Sequence, residues 1–591
     1  MTRDEMRILN WDDLDVVLVT GDAYVDHPAF GVAVIARVLI ADGFRVGVIA
    51  QPRWDRTDDI QRLGRPRLFF GVTAGNVDSL VANLSPNGNR RKRDDYSPGG
   101  RAGLRPDRAV IVYSNLIRQA FKGVPLVIGG IEASLRRLAH YDYWSDSVRR
   151  SILVDSRADI LCYGMAEAAV LDVAKRLRDG HRLAGIAGTC IVSASPPQAG
   201  CLTLPSYEQV AADRRAFAEA FRLWYRGHAD PGGQPVVQQY GNRWVVQYPP
   251  APPLSEAELD RIYELPYTRQ AHPQYREPIP ALETVRFSII SHRGCFGSCT
   301  FCSLSAHQGR ILQSRSAASI VREARVIARQ PDFRGHITDV GGPTANMYGA
   351  SCVQMARGRV CAERECLFPR PCSNLKLGLD RHLAVLSTIC KLKGVKLVTL
   401  GSGIRFDLVS DRYLEAVCRS HVSGQLRVAP EHVARRPLIA MRKYAPGDYR
   451  AFRRRFEQIS RRIRQQQSVN KPHKKQYLVP YFISGHPGTS HEDALALAEH
   501  IVNQEGFSIR QVQQFTPLPM TVAATMWHTG LDPLTMQPVH VPKSKEEQRL
   551  QRLLLQPFEG ENLAAAERLA RRMGLSGLVR RLQQLRRQTG K

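Results

Sequence analysis

Short apolar runs, each closed by a turn residue and separated by a helical pattern, recur through most of this 591-residue chain. In the first third they read VVLVT (16–20), FRVGVIA (44–50), LFFGVT (68–73), AVIVY (109–113), PLVIGG (125–130) and DILCYG (159–164). Continuous apolar strands alternating with helices predict an α/β domain built on a doubly wound parallel sheet, because only a sheet covered on both faces hides such runs from water. Ligands in these sheets sit beyond the carboxyl ends of the strands, which is where Asp22, His27, Gly129, Gly130 and Glu132 fall.

A second series begins at VRFSII (285–290) and continues with HITDVGG (336–342), KLVTLGS (396–402), QLRVAP (425–430), YLVPYFIS (477–484) and RQVQQFTP (510–517). Six strand–helix units are too few for a closed eightfold barrel and fit an open six-unit (β/α) partial barrel. The expected division is therefore a first domain at 1–202, a connector at 203–283, a core at 284–530 and a basic, helical, partly disordered tail at 531–591. Within the connector, Gly241-Asn242 marks a hairpin and YPPAPP a boundary. The Gly-, Pro- and Arg-rich stretch 87–108 reads as a long, mobile, solvated loop. In the tail, Leu569, Met573, Leu578, Leu582 and Leu585 recur at helical spacing, so the helix has an apolar face to pack and a basic one to offer.

The net charge of +28 fits an anionic partner such as RNA or a phosphorylated substrate, and equally a surface merely solvated by arginine. No apolar run approaches the roughly 20 residues of a membrane helix, and MTRDEMRILNWDDLD lacks a secretory signal. These features predict a soluble cytoplasmic protein with no membrane partner. In a reducing cytosol clustered cysteines serve metal or redox chemistry, and seven of the twelve lie between Cys295 and Cys372.

Three of them stand in SHRGCFGSCTFCSL (291–304), directly after the first strand of the second series. Cys295, Cys299 and Cys302 can hold three corners of a [4Fe–4S] cubane, leaving one iron open, where an electron-transfer cluster uses four thiolates. Zinc is the alternative, although its structural sites pair two cysteine knuckles. The loop, with aromatic Phe301 before its last thiolate, resembles the cluster motif of the radical S-adenosylmethionine (SAM) superfamily. Over nearly the whole length, GDAYVDHPAFG (21–31), GGIEASLRRLAHYDYW (129–144), the cluster loop and RVAPEH (427–432) are similar to the YgiQ-like family of radical SAM proteins.

The resemblance implies a cobalamin-binding-like first domain, a [4Fe–4S] cluster and SAM as cofactors, and an enzyme that cleaves SAM to a 5′-deoxyadenosyl radical. A low-potential donor such as flavodoxin or ferredoxin would reduce it. It implies SAM contacts at Phe301, Gly341, Gly342, Pro343, Ser402, Glu431, Ile483 and Gly485. The cobalamin-ligand motif is Asp-x-His-x-x-Gly; here Val25 precedes His27 by two and Gly31 follows by four, so cobalamin binding is not expected and the fold serves another role. His292, His307 and His486 receive no catalytic role. Cys352, Cys361, Cys366 and Cys372 form a second group, read as an auxiliary Fe–S cluster or zinc site against inert buried thiols. Three functional readings follow: modification of RNA, by methylthiolation or methylation; methylation or rearrangement of a small molecule; and a non-enzymatic, metal-stabilised RNA-binding protein.

Overall fold

The computed structural model describes residues 1–197, 200–443, 447–466, 475–509 and 512–589. They form two compact units, one of residues 1–295, 303–323 and 353–363, the other of 296–302, 324–352 and 364–591.

The first unit is organised by one nine-stranded sheet. Its parallel part comprises β1 (Val16–Thr20), β2 (Val46–Ala50), β3 (Phe69–Thr73), β4 (Leu126–Gly129) and β5 (Ile160–Cys162). The remaining strands are β6 (Thr189–Ser193), β7 (Leu202–Thr203), β8 (Val236–Tyr240) and β9 (Arg243–Gln247). Across the sheet the order is β7-β8-β9-β6-β5-β4-β3-β1-β2. The five parallel strands thus run 2-1-3-4-5, a doubly wound order whose direction switches between β1 and β3. All five residues of β1 are buried, as a strand covered on both faces requires. The sheet is mixed rather than purely parallel, since β6 pairs antiparallel with β5 and β9. Residues 203–283, read as a connector, supply β8 and β9, whose two-residue turn at Gly241-Asn242 pairs Tyr240 with Arg243.

AVIVY at 109–113 is not a strand but the start of a helix, Ala109–Ala120. An apolar run this short has no period that separates strand from buried helix. Its helical start depends on residues remote in sequence: the Val110 N–H donates to Glu132 Oε1 at 3.0 Å and the Ala109 N–H to Ser79 Oγ at 3.2 Å. A buried carboxylate at that end also answers the helix dipole.

The stretch 87–108 is exposed over residues 87–93 and 101–103 but anchored between and after them, at Asp94, Ser97 and Arg105. Arg105 is completely buried, with Nη1 2.8 Å from Asp22 Oδ1 and Nη2 3.0 Å from Asp94 Oδ2. Nη1 also donates to the Ala74 carbonyl at 2.8 Å. Composition reads such a segment as polar and exposed, because it shows Arg105 and Asp94 but neither their pairing nor the remote Asp22 that joins them.

The second unit sets parallel strands in chain order. β10 (His336–Ile337) pairs with β11 (Leu397–Val398), and Ile404 bridges in parallel to Val428. There β12 (Gln425–Glu431) pairs with β13 (Tyr477–Ser484), and β13 with β14 (Val512–Gln514). Helices Leu379–Cys390, Asp411–Ser420, Gly447–Gln465 and His491–His500 alternate with these strands. Sequential parallel neighbours joined by helices are the local topology of a (β/α) barrel arc.

The tail, expected to be partly disordered, folds as helices Lys545–Leu555, Asn562–Arg572 and Ser576–Thr589. Leu550, Leu554, Leu569, Leu582 and Leu585 close a core with Ala494, Leu495 and Ala498 of helix His491–His500. Its apolar stripe packs on its own unit, which leaves only the basic face to water.

Candidate functional site

The cysteine loop leaves the first unit at Gly294, whose φ of +82° no side chain adopts easily. A Cβ there would stand 2.1 Å from the Ile311 carbonyl oxygen. Cys295 follows, its N–H donating to the Gly309 carbonyl at 3.1 Å.

Residues 296–302 belong to the second unit, where Thr300 pins them. Its N–H donates to Met441 O at 3.2 Å, and its carbonyl accepts from the Ala523 N–H at 2.9 Å. Its hydroxyl donates to Ala440 O at 2.9 Å and lies 3.2 Å from His486 Nε2. The His486 ring meets Phe301 edge-on at 6.0 Å and Phe515 at 5.0 Å. Burial lowers the His486 pKa to about 4, so the ring is neutral and acts as a spacer behind Phe301. Thr300→Val keeps the shape but takes the hydroxyl away from Ala440 O and His486 Nε2. We expect a loss of about 1–3 kcal/mol and faster loss of iron from the loaded protein, measured by chelator-release kinetics.

Cys299 sits beside two cations, each paired with a carboxylate. Arg405 Nη1 lies 3.8 Å from its sulfur, and Arg405 Nη2 2.6 Å from Asp407 Oδ2. Burial pulls the Lys443 ammonium down, but the Cys299 sulfur and Glu431 outweigh it and raise its pKa. Lys443 Nζ lies 3.4 Å from Glu431 Oε1. Glu431 ends β12 after a register shift, at a φ of +64°, a strained conformation for a side-chain-bearing residue. Burial raises its pKa, against the pull of Lys443 and Arg405. Beside Cys299, the buried Ser298 hydroxyl has no hydrogen-bond partner among the described residues.

Of the other expected contacts, Gly341 and Ser402 are brought together. A Cβ on Gly341 would collide with Ser402 Oγ at 2.1 Å. Ser402 donates through both N–H and hydroxyl to Asp339 Oδ1, at 3.1 and 3.0 Å. Burial pushes the Asp339 pKa up to about 6 despite these bonds. Gly342 and Pro343 follow in the same turn, which Ala345 ties to the next loop through Gly403 O at 3.0 Å. Asn346 and Arg405 exchange two bonds across the same two loops, at 2.9 and 2.8 Å. Ile483 is buried at the end of β13. Gly485 has a φ of +75° and donates its N–H to Gln551 Oε1 at 3.0 Å. Thr300 and Asp339 stood inside segments already marked, the cysteine loop and HITDVGG, but neither was singled out; Gln551, on a tail helix, and Lys443 gave no sequence signal.

The second cysteine group is less compact. The Cys372 N–H donates to Cys366 O at 2.8 Å, which brings these two together with Cys352 in the second unit. Cys361 is exposed and belongs to the first unit. Among the described residues no three His, Cys, Asp or Glu side chains converge as ligands of one ion.

At the sheet's carboxyl edge the expected ligand crevice between β1 and β3 is filled. A Cβ on Gly75 would stand 2.1 Å from Asp22 Oδ1, and one on Gly21 2.4 Å from Ala74 O. Asp22 and Glu132 are spent on internal partners, and Gly130 at φ +80° lies against Thr73 Oγ1. The His27 Nδ1 accepts from the Ala29 N–H at 3.0 Å, and burial holds its pKa well below the ordinary value.

Comparison with known proteins places these features in context. Residues 1–288 match the model "Radical SAM N-terminal", and 510–582 match a domain of unknown function, DUF3362. A UPF0313 protein of Methanocella arvoryzae is 50% identical over 568 residues, covering 95% of this chain and 93% of its own length. One from Geobacter sulfurreducens is 47% identical over 579 residues, with 96% and 94% coverage. Among solved structures, the radical SAM methyltransferase TsrM of Kitasatospora setae aligns at 14% identity and a TM-score of 0.48, over 86% of this chain and 75% of that one. The cobalamin-dependent radical SAM enzyme OxsB aligns at 11% and 0.49, over 92% and 66%.

Proposed function

Because the chain belongs to the UPF0313 family and carries a radical SAM N-terminal domain, it is an enzyme of the radical SAM class, and we propose that Cys295, Cys299 and Cys302 hold its cluster. The observation that carries this is the setting of Cys299: a sulfur beside Arg405 and Lys443, in a loop fixed by Thr300. The same setting suits the group. Positive charge offsets an anionic thiolate cluster, and the Ser298 hydroxyl, unpartnered among the described residues, has a hydrogen bond to give to a sulfide.

When bound, the cluster supplies the electron that cleaves SAM to methionine and a 5′-deoxyadenosyl radical. The chain's own residues bind and orient. Asp339 and Glu431 offer carboxylates at strand ends to the ammonium and hydroxyl groups of SAM, with Gly341 and Ser402 shaping the approach. Phe301, backed by His486, and Ile483 and Gly485 offer an apolar wall for the adenine. The test is anaerobic incubation of the iron-loaded protein with SAM and dithionite. Release of 5′-deoxyadenosine is the expected result; its absence from protein holding about four irons per chain would refute the assignment.

For the substrate, one observation favours RNA. A groove of about 460 Å³ on the second unit is lined by Arg461, Arg464 and Lys475, by Arg453 paired with Glu457 and Glu505, and by Tyr477 and Phe507. Tyr477, with Lys475 5.0 Å from its ring centre, is 48% exposed and Phe507 42%. Exposed cations beside exposed rings are what a single-stranded backbone and its bases engage. Arg461→Glu with Arg464→Glu is expected to weaken binding of bulk tRNA at least tenfold. It should also lower the salt slope by about two, one for each phosphate left without its arginine. Unchanged slope in filter binding from 50 to 300 mM salt (roughly the range where counterion release dominates) would shift the reading to a small-molecule substrate.

A further inference from the structure

Among the described residues, seven arginines of the first unit are withdrawn from solvent, and for most a carboxylate explains why. Arg105 has Asp22 and Asp94, Arg136 has Asp78, and Arg293 has Glu167 at 2.5 Å. Arg269 and Arg315 share Glu323. Arg137 differs. It is completely buried and forms no ion pair among the described residues. Its Nε donates to Gln247 Oε1 at 2.9 Å, and Nη1 to the carbonyls of Ser134 and Ala306, at 2.5 and 3.4 Å. The guanidinium lies 4.6 Å from the Tyr163 ring centre and 5.1 Å from that of Trp224. Burial pulls its pKa down, and no carboxylate pulls it back. Rings and carbonyls soften the cost of a buried cation without neutralising it.

This cation borders a cavity of about 80 Å³, which Tyr163, His228, His307, Arg310 and Pro252 help to line. A water needs roughly 10–15 Å³ measured this way, so the space holds on the order of five to eight non-hydrogen atoms. Burial lowers the pKa of His228 to about 3 and of His307 to about 4, each also under the influence of Arg137. Both rings are therefore neutral at physiological pH, which leaves the charge of the cavity wall to Arg137 and to the buried Arg310 beside it. The opposite wall, Pro250–Pro253, is apolar. An anionic head on a short apolar body matches such a lining.

We propose that this cavity is a binding site for a small organic carboxylate, its head on Arg137 and its body against the prolines. The site does not depend on the cluster chemistry, although Gly309 in its wall also accepts the Cys295 N–H. Arg137 and Arg136 both lie in the GGIEASLRRLAHYDYW segment, and their duties separate. Arg136 binds Asp78 inside the fold, whereas Arg137 waits for an external anion.

The test titrates the full-length, cluster-loaded protein with pyruvate, butyrate, succinate or inorganic phosphate, at ionic strength matched with sodium chloride. Thermal unfolding is the readout. At least one carboxylate is expected to raise the melting temperature by several degrees, saturably, beyond chloride. Ala168→Trp plugs the cavity from its exposed rim and leaves Arg137 in place; it should abolish that response without changing the ligand-free melting temperature by more than a degree or two. Arg137→Lys, which keeps the charge but loses the planar fork, should weaken the response at least tenfold. The proposal is overturned if no carboxylate acts, if phosphate alone acts, or if the response survives in Ala168→Trp. Because none of these readings requires SAM cleavage, failure here leaves the cluster assignment standing, and the reverse.

Discussion

Replacing Cys299 by alanine is expected to reduce 5′-deoxyadenosine formation to background and to strip iron from the protein. Cys299 is the thiol with a guanidinium at its sulfur, Arg405 Nη1 3.8 Å away, and with Lys443, held by Glu431, among its electrostatic partners. Losing one of three ligands opens a second iron, and such clusters degrade instead of turning over. Cys390→Ala makes the control, because Cys390 is exposed and far outside the loop in sequence. Iron and sulfide analysis after anaerobic reconstitution, beside the nucleoside assay, checks both halves. Retention of a full cluster and activity in Cys299→Ala would move the catalytic centre elsewhere.

The largest effect on stability is expected from Arg105→Met. The substitution leaves Asp22 and Asp94 facing each other in a closed interior. Removing one partner from a buried ionic network costs about 3–5 kcal/mol, on the order of 10 °C in melting temperature. The penalty also depends on pH. Burial pushes the Asp22 pKa up to about 6, and Arg105 is what restrains it. A carboxyl with a raised pKa in the folded state contributes its stability below its unfolded value near 4, and loses it as pH rises through 6. Without Arg105 the pKa climbs further and the loss grows. The gap in melting temperature between wild type and variant should be narrow near pH 4 and widest above pH 7. Asp22→Asn in the same chain should recover part of it. A gap independent of pH would mean that Asp22 is not the group left exposed.

How far the sequence reaches is visible in these two sites. A strand segment such as 16–20 is legible because burial on both faces leaves an apolar run that survives any context. The cysteine spacing is legible because its chemistry is local to eight residues. What holds that loop is not: Thr300 is an ordinary threonine until Ala440, Met441, His486 and Ala523 arrive from more than a hundred residues away. The helix at 109–120 escapes a sequence reading for the same reason, since its first donors are answered by Ser79 and Glu132. The stretch around Arg105 shows the limit most plainly. Its basic composition is that of a solvated loop, and only the pairing of Arg105 with Asp22 and Asp94 ties it to the carboxyl end of β1.

The bond from Gly485 to Gln551 reaches from the end of β13 into the tail, and Gln551 in turn donates to Thr489 O at 3.0 Å. It makes the tail helices a thermodynamic partner of the 483–485 turn. A ligand that tightens that turn must slow amide exchange in Lys545–Leu555, and loosening the helix must weaken the ligand by the same free energy. Exchange protection near residue 551 would thus report what happens at the 483–485 turn through the bond that joins Gln551 to Gly485.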